Sequence, residues 1–351
     1  MSKSRSYRAP YRVQVKTAVY PVVRKFIGVR ARDAATRATV SLLSHFRKTG
    51  GNVEILWDTQ SVPNTLADIV PAFILAKILD ANGVRVKFVV RTGGGYRWGW
   101  FHPLSPAPEE IVTAWSQTFE LLLPKPRAAE FVLSQEMRVR KSRDVTHRIQ
   151  SDSVLNVTEY CAGILRELSN YATELDLSSI YLDDLGSTLR RNSFVAWHVR
   201  HSQRQPLRGS SPSQLLADYL ELNSLGKDIV LFSDPAGQNY VEEVFDECYG
   251  KQTPWGKNLT PQKSGGFVAA IPEILSADAY FHRFGGGMGI FPIFSRIPYF
   301  MQDKNPGLFT KFRTNPSSFA FQPWSTPAQV YYSSRARELD ATAFGEFAKY
   351  L

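Results

Sequence analysis

Apolar residues in this chain gather in short runs separated by polar loops, and the period inside each run distinguishes strand from helix. Asn52 to Asp58 (NVEILWD) is an unbroken apolar run bounded by Gly50 and Gly51, which predicts a buried strand. From about Asp68 to Leu79 the spacing of Ile69, Phe73, Ala76 and Leu79 is helical, with Asn82-Gly83 as its stop. Pro71 fits that helix in its first turn, where a missing N–H costs nothing. Val84 to Arg91 (VRVKFVVR) then predicts a second strand. Strand, helix and strand in so short a span form a βαβ unit, so this half holds a parallel sheet covered on both faces.

Pro103 to Asp152 is richer in proline and charge and predicts helical, surface-forming chain. Val157, Tyr160, Ile164, Leu168 and Tyr171 make a helical stripe, and a domain boundary is expected between residues 150 and 190. A second alternation begins at Ser193 to Val199 (SFVAWHV). A helix opens at Ser211-Pro212, a strand follows at Asp228 to Phe232, and a helix at Asn239 to Tyr249 ends at Gly250. Strands near Ala279 to Arg283 and Pro298 to Gln302 flank a helix at about Ile290 to Ser295. The organisation expected is a segment 1–48, a first α/β domain over 49–185 with a helical insertion, and a second over 186–351.

The chain has 351 residues, more than one comfortable core, in keeping with two domains. No apolar stretch approaches a membrane span, and the two cysteines, Cys161 and Cys248, make neither a disulfide framework nor a thiolate metal site. A reducing, cytoplasmic setting is the expectation. The net charge of +10 is local, because residues 1–48 hold twelve Lys and Arg against one acid, Asp33, and leave the rest near neutral. That segment reads as an arm for an anionic surface, an anionic membrane among them, or as a solvated terminus. A nucleic-acid binding protein that used this arm would also need basic residues and stacking aromatics spread over its body, so nucleic acid is disfavoured as a partner.

In an open parallel sheet, ligands bind at the carboxyl ends of strands. Three such ends in the second half carry polar or glycine-rich sequence: His198-Val199-Arg200, Ser233-Asp234, and Gly285-Gly286-Gly287-Met288-Gly289. The glycines let backbone N–H groups approach an anion at a helix start. Arg200 offers a planar fork for phosphate, and Arg204 and Arg208 share its loop. Together these residues describe a diphosphate cradle, with Ser233 and Asp234 suited to a ribose or base. In the first half, Asp58 at a strand end is a candidate general base, with Asn64 in the loop after it; the alternative is that both cap the next helix. Tyr96 and Trp98, after Gly93 to Gly95, offer aromatic faces for an acceptor sugar. The scattered histidines give no metal-ligand spacing, so no metal is expected.

His198-Val199-Arg200 at a strand end, followed by Leu231-Phe232-Ser233-Asp234, resembles the fucosyltransferase superfamily of alpha-1,2, alpha-1,6 and protein O-fucosyltransferases. The resemblance covers the last 160 residues or so. It departs from the usual motif in that His201, Ser202 and Gln203 follow where a second arginine and an acid are usual. It implies a GT-B fold of two facing Rossmann-like domains and an inverting, metal-independent glycosyltransferase. Arg200 would neutralise a leaving GDP, and His198 would support that loop or touch the nucleotide. The implied partners are a nucleotide-sugar donor, GDP-fucose first, and a glycan or glycolipid acceptor, with no further cofactor. An inactive scaffold of the same fold is an alternative. A dinucleotide enzyme is disfavoured, because no strand is followed by a Gly-x-Gly-x-x-Gly fingerprint.

Overall fold

The structure is a computed structural model that describes residues 29–61, 69–94, 107–141, 143–151, 157–168, 176, 178–187, 193–201, 210–250, 258–262, 265–283, 287–303, 313–315, 318–319, 329–333 and 341–351. Strands β1 (Asn52–Asp58), β2 (Arg85–Arg91), β3 (Ala129–Ser134) and β4 (His147–Gln150) form one parallel sheet in the order β3-β2-β1-β4. Helix Val70–Ala81 crosses from β1 to β2 with nearly every side chain buried, as a helix covering an apolar sheet must be. It starts at Val70, not Asp68, and Ile69 stands at its N-cap without a side-chain cap. Pro71 lies in the first turn as expected. Gly83, at φ +76°, ends the turn that leads into β2.

The expectation of helix alone over Pro103 to Asp152 is corrected. Helix Pro108–Leu122 is there, but β3 and β4 follow it. Both are edge strands, so β3 alternates between covered and open positions and β4 is four residues of mostly polar sequence, HRIQ. Neither shows the continuous apolar run that betrays a central strand. Phe73, Phe88, Phe119 and Phe131 interlock over this sheet with ring centroids 4.9 to 6.3 Å apart.

The basic segment is corrected in part. Residues 1–28 lie outside the described residues, but Val29–Thr49 is a helix that packs on helix Val157–Leu168. Val40, Leu43 and Phe46 are buried and Thr39 Oγ1 meets Tyr160 OH at 2.6 Å, while Arg37, Arg47 and Lys48 stay exposed. This stretch is therefore a wall of the first unit, with Arg37, Arg47 and Lys48 on the outside.

The second sheet comprises β5 (Phe194–His198), β6 (Asp228–Phe232), β7 (Leu259–Pro261), β8 (Ala279–Arg283), β9 (Tyr299–Asp303) and, after the antiparallel pair β10 (Arg313–Asn315) and β11 (Ser318–Phe319), β12 (Gln329–Ser333). Its order is β12-β9-β8-β5-β6-β7, all parallel. Taken in chain order from β7 inward, this is the 3-2-1-4-5-6 arrangement of a doubly wound sheet. Side chains alternate across it. Ala196, Phe232, Tyr280 and Met301 belong to an apolar cluster shared with the first sheet and helix Phe267–Ser276, whereas Trp197, Leu231, Phe281 and Phe300 belong to a second cluster with Tyr219, Phe245 and Phe347. The chain enters this unit through the short helix Asp183–Ser187, which packs on Phe267–Ser276.

Candidate functional site

From β5 the chain winds outward through β6 and β7, then returns to the other side of β5 as β8 and continues outward. The connections leaving β5 and β8 at their carboxyl ends therefore run in opposite directions, which is the switch point where open α/β sheets place a ligand crevice. His198 ends β5 and is paired in register with His282, the penultimate residue of β8. Both project to the face shared with the first unit, because each lies two residues from a member of that cluster, Ala196 and Tyr280.

The two imidazoles are stacked, with centroids 4.6 Å apart and planes 19° from parallel. His198 Nδ1 meets Tyr280 OH at 2.9 Å, and His282 Nδ1 meets the His198 carbonyl oxygen at 3.3 Å. Burial, with the nearby His282 and Arg200, holds His198 well below the ordinary histidine range. Burial likewise lowers His282 to about 4, with Arg200 adding to the effect and the hydrogen bond to His198 opposing it. Burial also keeps the Tyr280 phenol protonated, well above its usual range. At neutral pH the cluster is therefore uncharged, and Arg200, half-buried beside it, supplies the positive charge.

His201, next after Arg200, stacks on Tyr240 at 4.1 Å, and Tyr240 OH donates to Ser210 O at 2.9 Å. One aromatic side chain thus touches both ends of the span 202–209; Arg204 and Arg208 fall within it, outside the described residues. Ser233 and Asp234 lie at the carboxyl end of β6, adjacent to β5. Ser233 Oγ donates to Val199 O at 2.7 Å. The Asp234 carboxylate accepts from Gly237 N at 2.8 Å and caps helix Pro235–Tyr249. A Cβ at Gly237 would overlap Ser233 Oγ, so glycine there is what lets the serine approach. Both side chains expected to hold a ribose or base have structural work of their own.

On the opposite face, Arg283 Nη1 pairs with Asp218 Oδ1 of helix Pro212–Ser224, both side chains 2% exposed. Burial pushes the Asp218 carboxyl up, and the Arg283 guanidinium pulls it back. The pair ties the end of β8 to the helix that follows β5.

Of the glycine run, Gly285 and Gly286 lie outside the described residues. Gly287, Met288 and Gly289 form one 3-10 turn, and the helix after it is only Ile290–Ile293. The expected helix to Ser295 is shorter by two residues, and one turn has too little dipole to bind an anion by itself. A Cβ at Gly289 would stand 2.9 Å from Met301 Cε, the end of a flexible side chain that can move aside. Met288 packs against the shared core.

At the carboxyl edge of the first sheet, Asp58 and Arg91 end adjacent strands and pair at 2.6 Å. The same carboxylate oxygen accepts from Gln60 N at 2.9 Å, which makes a turn after β1; it does not cap the next helix. Arg91 also donates to Gly93 O at 3.1 Å and Met137 O at 2.5 Å, and so joins the segments that follow β1, β2 and β3. Asn64, Tyr96 and Trp98 lie outside the described residues. A depression of about 360 Å³ lined by Gly50, Gly51, Asn52, Gly83, Arg85 and Thr146 is at the opposite, amino-terminal edge.

Sequence reasoning missed His282, Arg283, Tyr280, Asp218, Arg91 and Tyr240. The signal for His282 and Arg283 was their place at the polar end of an apolar strand just before glycines; the pairing of β5 with β8 was needed to make it specific. Among the described residues no group of three or more His, Cys, Asp or Glu is placed to hold a metal, and no helix is long and apolar enough to cross a membrane.

No family model matches the sequence, and no curated protein matches it. Among solved structures, the E. coli heptosyltransferase WaaC with ADP is similar at 14% identity over 85% of this chain and 99% of that one, with a TM-score of 0.40, a likeness too loose to carry a function across.

Proposed function

We propose that this chain is a GT-B glycosyltransferase that draws a sugar from a nucleotide-activated donor bound at the carboxyl edge of the second sheet. The observation that carries the reading is the coincidence of a topological switch point, between β5 and β8, with His198, Arg200 and His282 at that point. Two parallel α/β units in one chain, and the resemblance of His198-Val199-Arg200 and Ser233-Asp234 to fucosyltransferases, favour this class and make GDP-fucose the first donor to test. In the proposed reaction an acceptor hydroxyl of a glycan or glycolipid attacks the anomeric carbon as the bond to the diphosphate breaks, with inversion. Arg200 and backbone amides take up the charge developing on the diphosphate, with no metal required. Asp58, oriented by Arg91 and Gln60, is the proposed acceptor of the hydroxyl proton.

The test is a calorimetric and thermal-shift titration with GDP, UDP, CDP, ADP and dTDP, with and without chelator, since a ligand that binds only the folded chain raises its melting temperature. Selective stabilisation by one diphosphate that survives chelation is the expected result. Arg200→Ala should then fold normally and lose on the order of 100-fold in nucleotide affinity or turnover, as removal of one charge-stabilising group does. If no diphosphate stabilises the wild type, the reading fails; selection of a base other than guanine retains the transferase and removes fucose.

A further inference from the structure

Within the proposed donor site, His282 Nε2 is buried and has no hydrogen-bond partner among the described residues. A buried polar atom left alone costs about 1–3 kcal/mol, so its presence at a strand end in the switch-point crevice calls for an explanation. The tautomer supplies it. His282 Nδ1 faces a carbonyl oxygen, which only accepts, so Nδ1 carries the proton. The ring is neutral, and Nε2 is then a bare lone pair. Burial, with a smaller contribution from nearby Arg200, lowers the proton affinity of both imidazoles, which keeps that lone pair unprotonated.

His198 has the complementary tautomer. Tyr280 is fully buried, and His198 Nδ1 is the acceptor its hydroxyl reaches. Tyr280 O–H therefore donates to Nδ1, and neutral His198 keeps its proton on Nε2. The crevice thus presents an N–H from β5 and a lone pair from β8, beside a guanidinium. A phosphate oxygen has no proton to offer a lone pair and is suited to Arg200 and the His198 N–H. The lone pair instead requires a ligand atom that bears a proton.

We propose that His282 is a ligand-contacting residue whose Nε2 accepts a hydrogen bond from a hydroxyl of the bound donor, either on its ribose or on its transferred sugar. This inference rests on the donor-site reading above.

The test titrates the wild type, His282→Asn and His282→Gln with the nucleoside diphosphate that the wild type selects and with its 2′-deoxy and 3′-deoxy forms. A second arm uses the corresponding nucleotide sugar and its deoxy-sugar analogues. Asn preserves the bond to the His198 carbonyl but has nothing at the Nε2 position, whereas Gln reaches that position with an acceptor. The wild type should bind one deoxy form roughly tenfold more weakly than its parent, the loss expected of a site group left unpaired. Asn should abolish that discrimination and Gln should retain it. The arm in which the loss occurs names the hydroxyl as ribose or sugar. Equal discrimination in the Asn variant and the wild type, or no discrimination against any deoxy form, overturns the inference while the donor site stands. Failure of every nucleotide to bind the wild type overturns both.

Discussion

At the carboxyl edge of the first sheet, Asp58 and Arg91 are partnered to each other and, through Gln60, Gly93 and Met137, to the chain that leaves the strands. At the same edge of the second sheet, the groups facing the first unit are two neutral imidazoles, one with an unpartnered nitrogen. The charged pair of that edge, Arg283 with Asp218, is turned to the far face and sealed from solvent. Polar residues at a strand's carboxyl end are thus not equivalent. Asp58 is held by Arg91 and Gln60 through one carboxylate oxygen and stays partly open to water, whereas Asp218 and Arg283 are closed off on the far face and tie a strand to a helix.

The comparison is broken most forcefully at Asp218. Asp218→Ala leaves the Arg283 charge buried without its carboxylate, and urea unfolding should show a loss of about 3–5 kcal/mol. Asp58→Ala removes a pair that is partly open to water and should cost only about 1 kcal/mol. Equal losses would show that the two edges are not built differently.

A second contrast is in pH. Below about pH 6.5 a histidine in the unfolded chain binds a proton, while folded His282 does not until about 4. The unfolded state therefore binds more protons across that window, and stability falls as pH falls, by on the order of 3 kcal/mol from this residue. Asp218 acts in the opposite sense, since its raised carboxyl stabilises the fold at low pH and loses that contribution as pH rises. The difference between wild type and His282→Asn isolates the histidine: their denaturation midpoints should converge as pH drops from 7 toward 4. Curves that stay parallel would show that His282 does not resist protonation. The smallest effect is at Asp234, where loss of the N-cap in Asp234→Ala should cost about 1 kcal/mol and leave nucleotide affinity within a few-fold, whereas a large affinity loss would return it to the binding site.

The central strands β1, β2, β5 and β8 were legible because each is a compact apolar run with glycine or polar chain beside it. β3 and β4 were not, since edge strands need only one covered face or none. Helix Phe267–Ser276 was missed because Pro272 lies inside it and reads as a break. Ser233-Asp234 was read as a nucleotide contact and the next helix as starting at Asn239, whereas the bond from Gly237 N makes Asp234 the cap of a helix that starts at Pro235. The place of Arg200 just past the end of β5 was legible from the apolar run before it. His282 was not, because its significance depends on which strand lies next to β5, and strand order is written in the packing of crossovers and not in any local run of residues.

Gly186 has a mechanical consequence. A Cβ at this buried position would overlap the backbone of Leu275, so helices Asp183–Ser187 and Phe267–Ser276 meet main chain against main chain. With no side chain between them to change rotamer, that contact behaves as a rivet. The short helix by which the chain arrives at the second sheet is therefore held to helix Phe267–Ser276 by backbone contact and not by a side chain.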